Sequence, residues 1–442
     1  MKVLLVSPNF LSNEGNYKQE TSLGILYLAT EIQELCETYV IDAFLEGIDD
    51  QALINKIEKI DPQVIGISVN FANALNSGEF IAKSLKEKGF KGFIIFGGNT
   101  STFLYKKLLD QNYADIVVLH EGEETFKELV LVLKEYILNK QDLSKKLLGI
   151  KGIAFKKDNE EILTQKREFI KDLDSIKIPE RNYLDWFYKN AEHISLISTR
   201  GCPYGCYYCS TNAMWSKWRF RSAKNIISEI EYIKNEYPNI DFFSFEDDNF
   251  LVNRKRANDF AKLVTNKNLD INFSFLTRIE HVNEPLIMDL KKAGLTGMFF
   301  GVESGSRRIL KLLKRSYTPE EVIKKTEFAE KLGIKITASF MIGNPYETEE
   351  DIKETFDLIR EIPSTFTQAH IFTPYPGTPF FDEAEKFGIT LHINDSSEIK
   401  QDEEVYLDTK YLKSEDIFSL YKKAVSIIIK KETIKKLYSQ EV

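Results

Sequence analysis

Short apolar runs rich in Val, Ile and Leu recur along this chain, and stretches with helical periodicity separate each from the next. In the first block they occupy residues 2–6, 38–42, 64–69, 91–96 and 116–119. Runs of this kind, without apolar/polar alternation, belong to parallel strands buried on both faces. Helical patterns at 22–36 and 73–88 fall between them. The alternation predicts a doubly wound α/β domain over residues 1–140. A second block has strand candidates at 193–198, 241–246, 272–277, 296–302, 335–341 and 366–372, with helical segments at 223–237, 284–293, 319–332 and 349–362. Six βα units over residues 191–390 predict a partial (β/α)6 barrel rather than a closed barrel of eight. Residues 141–190 read as a hairpin, with 152–155 and 161–164 flanking a polar turn at Asp158-Asn159, followed by a linker. Residues 391–442 read as a charged C-terminal extension with a helix over 417–431.

Composition narrows the function classes. Apolar residues make up 43% of the 442 positions, enough for packed cores. The net charge of −8 argues against broad binding to nucleic acid. The first apolar run is too short for a secretory signal, and no run approaches the length of a membrane span. The expected location is the cytoplasm, where thiols stay reduced.

Cysteine usage is the chemical signal. The chain has four cysteines, and Cys202, Cys206 and Cys209 fall within eight residues of each other. They sit in the loop after the first strand of the second block, where barrel sites form. A structural zinc site needs four ligands, and the nearest histidine, His193, lies on the preceding apolar run. A disulfide would strand the third thiol. A 4Fe–4S cluster normally takes four thiolates, so three leave one iron open. Cys36 ends an apolar helical pattern and reads as a buried small hydrophobe.

The C-x3-C-x2-C spacing resembles the signature of the radical S-adenosylmethionine (radical SAM) superfamily. That resemblance implies a 4Fe–4S cluster whose open iron chelates the amino and carboxylate groups of S-adenosylmethionine. It also implies that Tyr208, before the last cysteine, packs against the adenine. Four further elements follow in order at the strand ends. They are Asp247-Asp248-Asn249-Phe250, Gly301-Val302-Glu303-Ser304-Gly305, Met341 to Thr348, and Pro374 to Pro379. Together they resemble the subfamily with an N-terminal cobalamin-binding domain, from about Pro8 to Gly388; Tyr346 stands where that subfamily usually has glycine. By this resemblance Asp247 or Asp248 holds the methionyl amine, and Arg278 holds the methionyl carboxylate. Glu303 holds the ribose, and the backbone around Ile342 and Gly343 holds adenine. Arg278 has an alternative as the partner of a barrel carboxylate.

In the first block, Ser68 and Gly97-Gly98 end the third and fourth strands, and 26 residues separate Asn70 from Gly97. Cobalamin-binding domains use a serine and a Gly-Gly at about this spacing to hold the buried nucleotide tail. The cobalt-ligating D-x-H-x-x-G pattern is absent, since no histidine lies between Pro8 and Gly24. The resemblance therefore implies cobalamin without a protein histidine on cobalt. The alternative is a domain that lost the cofactor and serves as scaffold. Segments 23–29 and 120–125 also resemble the subfamily. Trp215, Trp218, Arg219 and Arg221 either line a substrate channel or pack beneath it, and His281 and His370 read as structural.

The implied activity is cleavage of S-adenosylmethionine to a 5′-deoxyadenosyl radical that removes hydrogen from an unactivated carbon, followed by methyl transfer from methylcobalamin. The alternatives are a radical rearrangement, cyclisation or oxidation without methyl transfer and, more remotely, a non-catalytic electron carrier. The implied partners are a small-molecule, lipid or peptide substrate and a one-electron reductant of flavodoxin or ferredoxin type.

Overall fold

The computed structural model describes residues 1–9, 22–70, 72–140, 142–393, 399 and 402–439. These form two units, Met1–Ser195 and Leu196–Val442.

The first unit is built on a seven-stranded sheet of β1 (Lys2–Ser7), β2 (Glu37–Asp42), β3 (Val64–Ser68), β4 (Phe93–Gly97), β5 (Ile116–Val118), β6 (Ile153–Lys157) and β7 (Glu160–Leu163). The order is β2-β1-β3-β4-β5-β6-β7. The first five strands are parallel. Successive residues of β1 enter opposite cores: Leu4 and Val6 join Ile65, Ile67 and Phe96 on one face, while Val3 and Leu5 join Val64, Ile95 and Phe126 on the other. Two buried faces explain why the strand runs lack polar alternation. The order reverses at β1, so the crevice between the ends of β1 and β3 is a topological switch point, where such sheets bind ligands.

Two expectations need correction in this unit. The hairpin assigned to a separate 141–190 segment extends the sheet, because β6 pairs antiparallel with β5 and β7 with β6. Its turn residues Asp158 and Asn159 both have positive φ, at 51° and 66°, as a two-residue hairpin turn requires. The first helix stops at Ile32, so Cys36 lies beyond it. Cys36 is half-buried against the core, its thiol 3.6 Å from the Ile32 carbonyl.

The second unit contains β9 (Thr199–Arg200), β10 (Arg219–Phe220), β11 (Phe242–Phe245), β12 (Asn272–Thr277), β13 (Leu295–Glu303), β14 (Lys335–Ile342) and β15 (Phe366–Ile371). Its main sheet begins with β8 (His193–Leu196), and the order β8-β11-β12-β13-β14-β15 follows the chain. β8 and β15 do not pair, so this is the partial barrel of six strands. Phe245, Phe250, Phe260, Phe273 and Phe275 interlock, mostly edge to face, and lock the helix Arg254–Asn266 to β11 and β12. The C-terminal helix, Ser414–Ser439, is longer than the pattern predicts. It packs on β15 and on the helix Glu349–Glu361, where Lys431 donates to the Ile359 and Ile362 carbonyls.

Candidate active site

The cysteine loop leaves the barrel through a narrow base. β9 and β10 pair antiparallel and join the loop's two ends. Gly201 follows at φ 81°, where a Cβ would come within 2.8 Å of the Lys217 carbonyl. Beneath it lies a buried polar network. Asp247 accepts from Ser198 N at 2.6 Å, Thr199 N at 2.8 Å and the Ser198 hydroxyl. Arg256 donates to Ser198 Oγ at 2.6 Å and to the Phe250 carbonyl at 2.8 Å. Arg221 donates to the Ile197 carbonyl at 2.9 Å and pairs with Glu229. Both oxygens of Asp247 are thus used to fix the strand end from which the loop departs.

Asp248 is the carboxylate that faces the loop. It accepts from Thr211 Oγ1 at 2.9 Å. Burial pushes its pKa up, and the Asp247 charge adds to the rise against the Thr211 hydrogen bond. Burial also pushes the Cys202 thiol up to about 11, with Asp248 contributing, and raises that of Cys209. Thiols held this way become thiolates when a cation joins them, which is what cluster iron supplies. Among the described residues no three His, Cys, Asp or Glu side chains are grouped to hold one metal ion. A cluster instead takes each thiolate at a different iron. The donor set fits the 4Fe–4S group.

Neighbouring strand ends brace the same loop. Phe380 N, after the Pro374–Pro379 turn, donates to the Tyr207 carbonyl at 3.3 Å. Lys314 Nζ lies 3.8 Å from the Tyr207 ring centroid. Tyr208 donates to Glu303 Oε1 at 3.0 Å, and Arg315 donates to both residues. Glu303 sits at φ 66°, beside a register shift between β13 and β14. Such a backbone is costly for a residue with a Cβ and marks functional positions. Its flanking glycines have separate jobs. A Cβ on Gly301 would collide with the Glu303 carboxylate, and one on Gly305 with the Glu354 carbonyl of the packed helix.

Arg278 departs from its expected role. Its Nε donates to Glu280 Oε1 at 3.0 Å, and its Nη2 to Glu280 and to the Lys314 carbonyl at 3.2 Å. Its Nη1 donates to Cys206 Sγ at 3.5 Å, and the guanidinium lies 3.9 Å from the Tyr204 ring centroid. Four of five donors are spent, so no free fork remains for a methionyl carboxylate. The alternative reading, a carboxylate partner, is the one observed.

The backbone near Ile342 and Gly343 is also committed. Gly343 N and Asn344 N donate to Glu347 at 2.7 and 2.9 Å, and the Ile342 carbonyl accepts from Phe372 N at 2.8 Å. These three groups are therefore engaged within the chain itself. Gly343, at φ 91°, instead admits Ile417 of the C-terminal helix, which would lie 2.6 Å from a Cβ there. Tyr346 adopts φ 62°, which explains why the subfamily favours glycine at this position.

The remaining residues divide cleanly. Trp218 lines an open cavity of about 590 Å³ with Tyr204, Arg254 and His281, whereas Trp215 lies within 6 Å of the Arg200 and Arg219 guanidiniums. His281 is held by the Tyr204 hydroxyl and the Leu251 carbonyl, and His370 by Asp402 at 2.7 Å, so each ring is fixed in orientation. Arg256 and the Lys314-Arg315 pair carry no motif in the sequence, because their roles arise only when distant strand ends meet.

In the first unit, Ser68 and Gly97 are register partners at adjacent strand ends. Among the described residues, Ser68 Oγ has one long contact, 3.5 Å from Asn70 Nδ2. A Cβ on Gly97 would meet nothing closer than 3.7 Å, whereas Gly98, at φ 93°, would bring one within 2.7 Å of the Val69 carbonyl. A Cβ on Gly97 would thus rest in ordinary van der Waals contact with Val118, while Gly98 permits a tight turn. A hydroxyl with one long contact beside a glycine strand end fits a buried cofactor tail. The segment from His120 is tied down internally: His120 N donates to Thr102 at 3.0 Å, and Glu121 accepts from Ile170 N at 2.8 Å.

Comparison with known proteins agrees with both halves of this geometry. Residues 196–359 match the radical SAM superfamily, and residues 17–130 match the B12 binding domain. An uncharacterized methyltransferase of Pyrococcus horikoshii is 31% identical over 96% of this chain and 91% of its own. An anaerobic magnesium-protoporphyrin IX monomethyl ester cyclase of Cereibacter sphaeroides is 25% identical over 87% of this chain and 63% of its own. The fold matches the radical S-adenosylmethionine methyltransferase TsrM of Kitasatospora setae, solved with cobalamin and a 4Fe–4S cluster. That match has a TM-score of 0.74, 16% identity, and coverage of 89% of this chain and 77% of that one. The chain belongs to the radical SAM superfamily, in the branch that carries an N-terminal B12-binding domain.

Proposed function

We propose that this protein is a cobalamin-dependent radical SAM methyltransferase acting at an unactivated carbon. The observation that carries this reading is the pairing of two sites in one chain: a clamped three-thiol loop at the barrel strand ends and the adjacent Ser68 and Gly97 strand ends of a B12-type sheet. The full-length similarity to a methyltransferase supports it. When bound, the cluster and S-adenosylmethionine supply a carbon-centred radical by one-electron cleavage, and methylcobalamin supplies the methyl group.

The chain's own residues hold and orient. Cys202, Cys206 and Cys209 anchor the cluster, and Asp248 faces the methionyl amine. Glu303, oriented by Tyr208 and Arg315, accepts from the ribose hydroxyls, while the Tyr208 ring lies against adenine. Ser68 and Gly97 receive the cobalamin tail. A one-electron donor of flavodoxin or ferredoxin class supplies the electron. No helix among the described residues is long and apolar enough to cross a membrane, and we place the protein in the cytoplasm.

The test needs no substrate. Reconstituted full-length protein with reduced cobalamin is incubated with methyl-labelled S-adenosylmethionine, and the corrinoid is extracted in the dark. Label on the corrinoid is the expected result. Bound cobalt that stays unlabelled would overturn methyl transfer and favour cyclisation or oxidation.

A further inference from the structure

The three thiols of the loop do not share one electrostatic environment. Cys202 and Cys209 both feel the Asp248 carboxylate. Cys206, the most buried of the three, has Arg278 instead, with Nη1 3.5 Å from Sγ. The guanidinium cannot swing away. It is pinned by Glu280 on one edge, by the Lys314 carbonyl, and by the Tyr204 ring against its face. Arg315, the other buried guanidinium nearby, is engaged with Glu303 and Tyr208.

We infer that Arg278 is a redox-tuning residue that acts through Cys206 to raise the potential of the cluster. The inference rests on the cluster assignment made above. One-electron reduction adds negative charge to the cluster and its thiolates. A fixed cation donating to one ligand sulfur stabilises that charge, and burial strengthens the effect by excluding water. Hydrogen bonds to sulfur and local net charge are the levers by which a protein sets such potentials. Glu280 is the counterweight: its carboxylate partly cancels the cation while holding it in place. The pair makes Arg278 a calibrated charge rather than a cosubstrate anchor.

The test is an EPR-monitored redox titration with titanium(III) citrate on anaerobically reconstituted, cobalamin-loaded full-length protein, with iron counted in every sample. Arg278→Gln removes the charge and is expected to shift the midpoint potential negative. Glu280→Gln keeps an oxygen for the Arg278 N–H groups but removes the opposing charge, and is expected to shift it positive. Opposite signs are the signature that a merely structural role would not give. An unchanged potential in either variant with four irons bound, or shifts of the same sign, would overturn the inference. Should Arg278→Gln fail to hold a cluster, the sign from Glu280→Gln decides alone: positive supports the inference, and zero or negative overturns it. Wild-type protein that binds no iron would overturn the cluster assignment, and this inference with it.

Discussion

The cysteine loop and the Ser68/Gly97 crevice hold their expected cofactors by opposite means. The loop is over-determined, with two buried arginines, Asp247, a short ladder and three neighbouring strand ends all fixing its base. The crevice is two adjacent strand ends with one nearly uncommitted hydroxyl and a glycine that presents no side chain. A cluster held by three side chains needs those side chains pre-positioned, because each thiolate must meet a fixed iron. A large cofactor tail needs room and backbone access, which glycines give by absence. At the loop, many motif residues therefore turn out to be braces; at the crevice, few residues carry any signal.

Substitutions break this contrast with graded effects. Cys206→Ala is expected to abolish S-adenosylmethionine cleavage, read as loss of 5′-deoxyadenosine by chromatography; retained cleavage would refute the cluster assignment. Arg256→Met leaves Asp247 buried without its cation and is expected to cost about 3 kcal/mol, measured as the lowered urea midpoint of the full chain; an unchanged midpoint would show that the brace is dispensable. Tyr208→Phe removes one hydroxyl from the Glu303–Arg315 cluster and is expected to weaken S-adenosylmethionine binding by roughly 1–2 kcal/mol, measured by equilibrium binding.

The crevice gives a sharper pair. Gly97→Val places a Cβ in ordinary contact with Val118 without a clash, so stability should fall little while cobalamin binding drops. Gly98→Ala puts a Cβ against the Val69 carbonyl at positive φ, so it should lower stability by about 1–3 kcal/mol. Normal cobalt content in Gly97→Val would show that the corrinoid is not held at this strand end.

A further effect is a pH dependence. Burial lifts the Glu347 carboxyl to about 8, against the backbone donors of Gly343 and Asn344. Its folded pKa lies above its unfolded one, so the folded chain keeps a proton that the unfolded chain releases. Its contribution to stability is full below the ordinary carboxylate range and is lost as pH rises through about 8. Glu347→Gln should flatten that slope in chemical unfolding at successive pH values.

Much of this molecule is legible in the sequence where signals are local. All six main barrel strands fall where periodicity places them, because each is a short buried run between helices. The three cysteines, Glu303 and the Gly-Gly pair are legible because spacing and residue type carry them. What is not legible depends on long-range closure. The hairpin reads as a separate segment because nothing local says that β6 will pair with β5. Asp247 and Arg278 read as ligand contacts because their residue types suit ligands. Whether their atoms are free depends on Arg256, Ser198 and Glu280, which folding brings to them. Lys314 and Arg315 carry no motif in the sequence, yet Lys314 turns at φ 58° and the pair reaches the Tyr207 ring, the Tyr208 hydroxyl, Glu303 and Arg278.

The central claim is that one chain holds both cofactors, each at its own site. The most direct measurement is anaerobic reconstitution of the full-length protein with iron, sulfide and hydroxocobalamin, followed by desalting, a visible spectrum and metal analysis. The account predicts a 4Fe–4S cluster and one corrinoid cobalt for every chain. Iron without cobalt would contradict it and leave a radical enzyme with a scaffold domain in place of a B12 site.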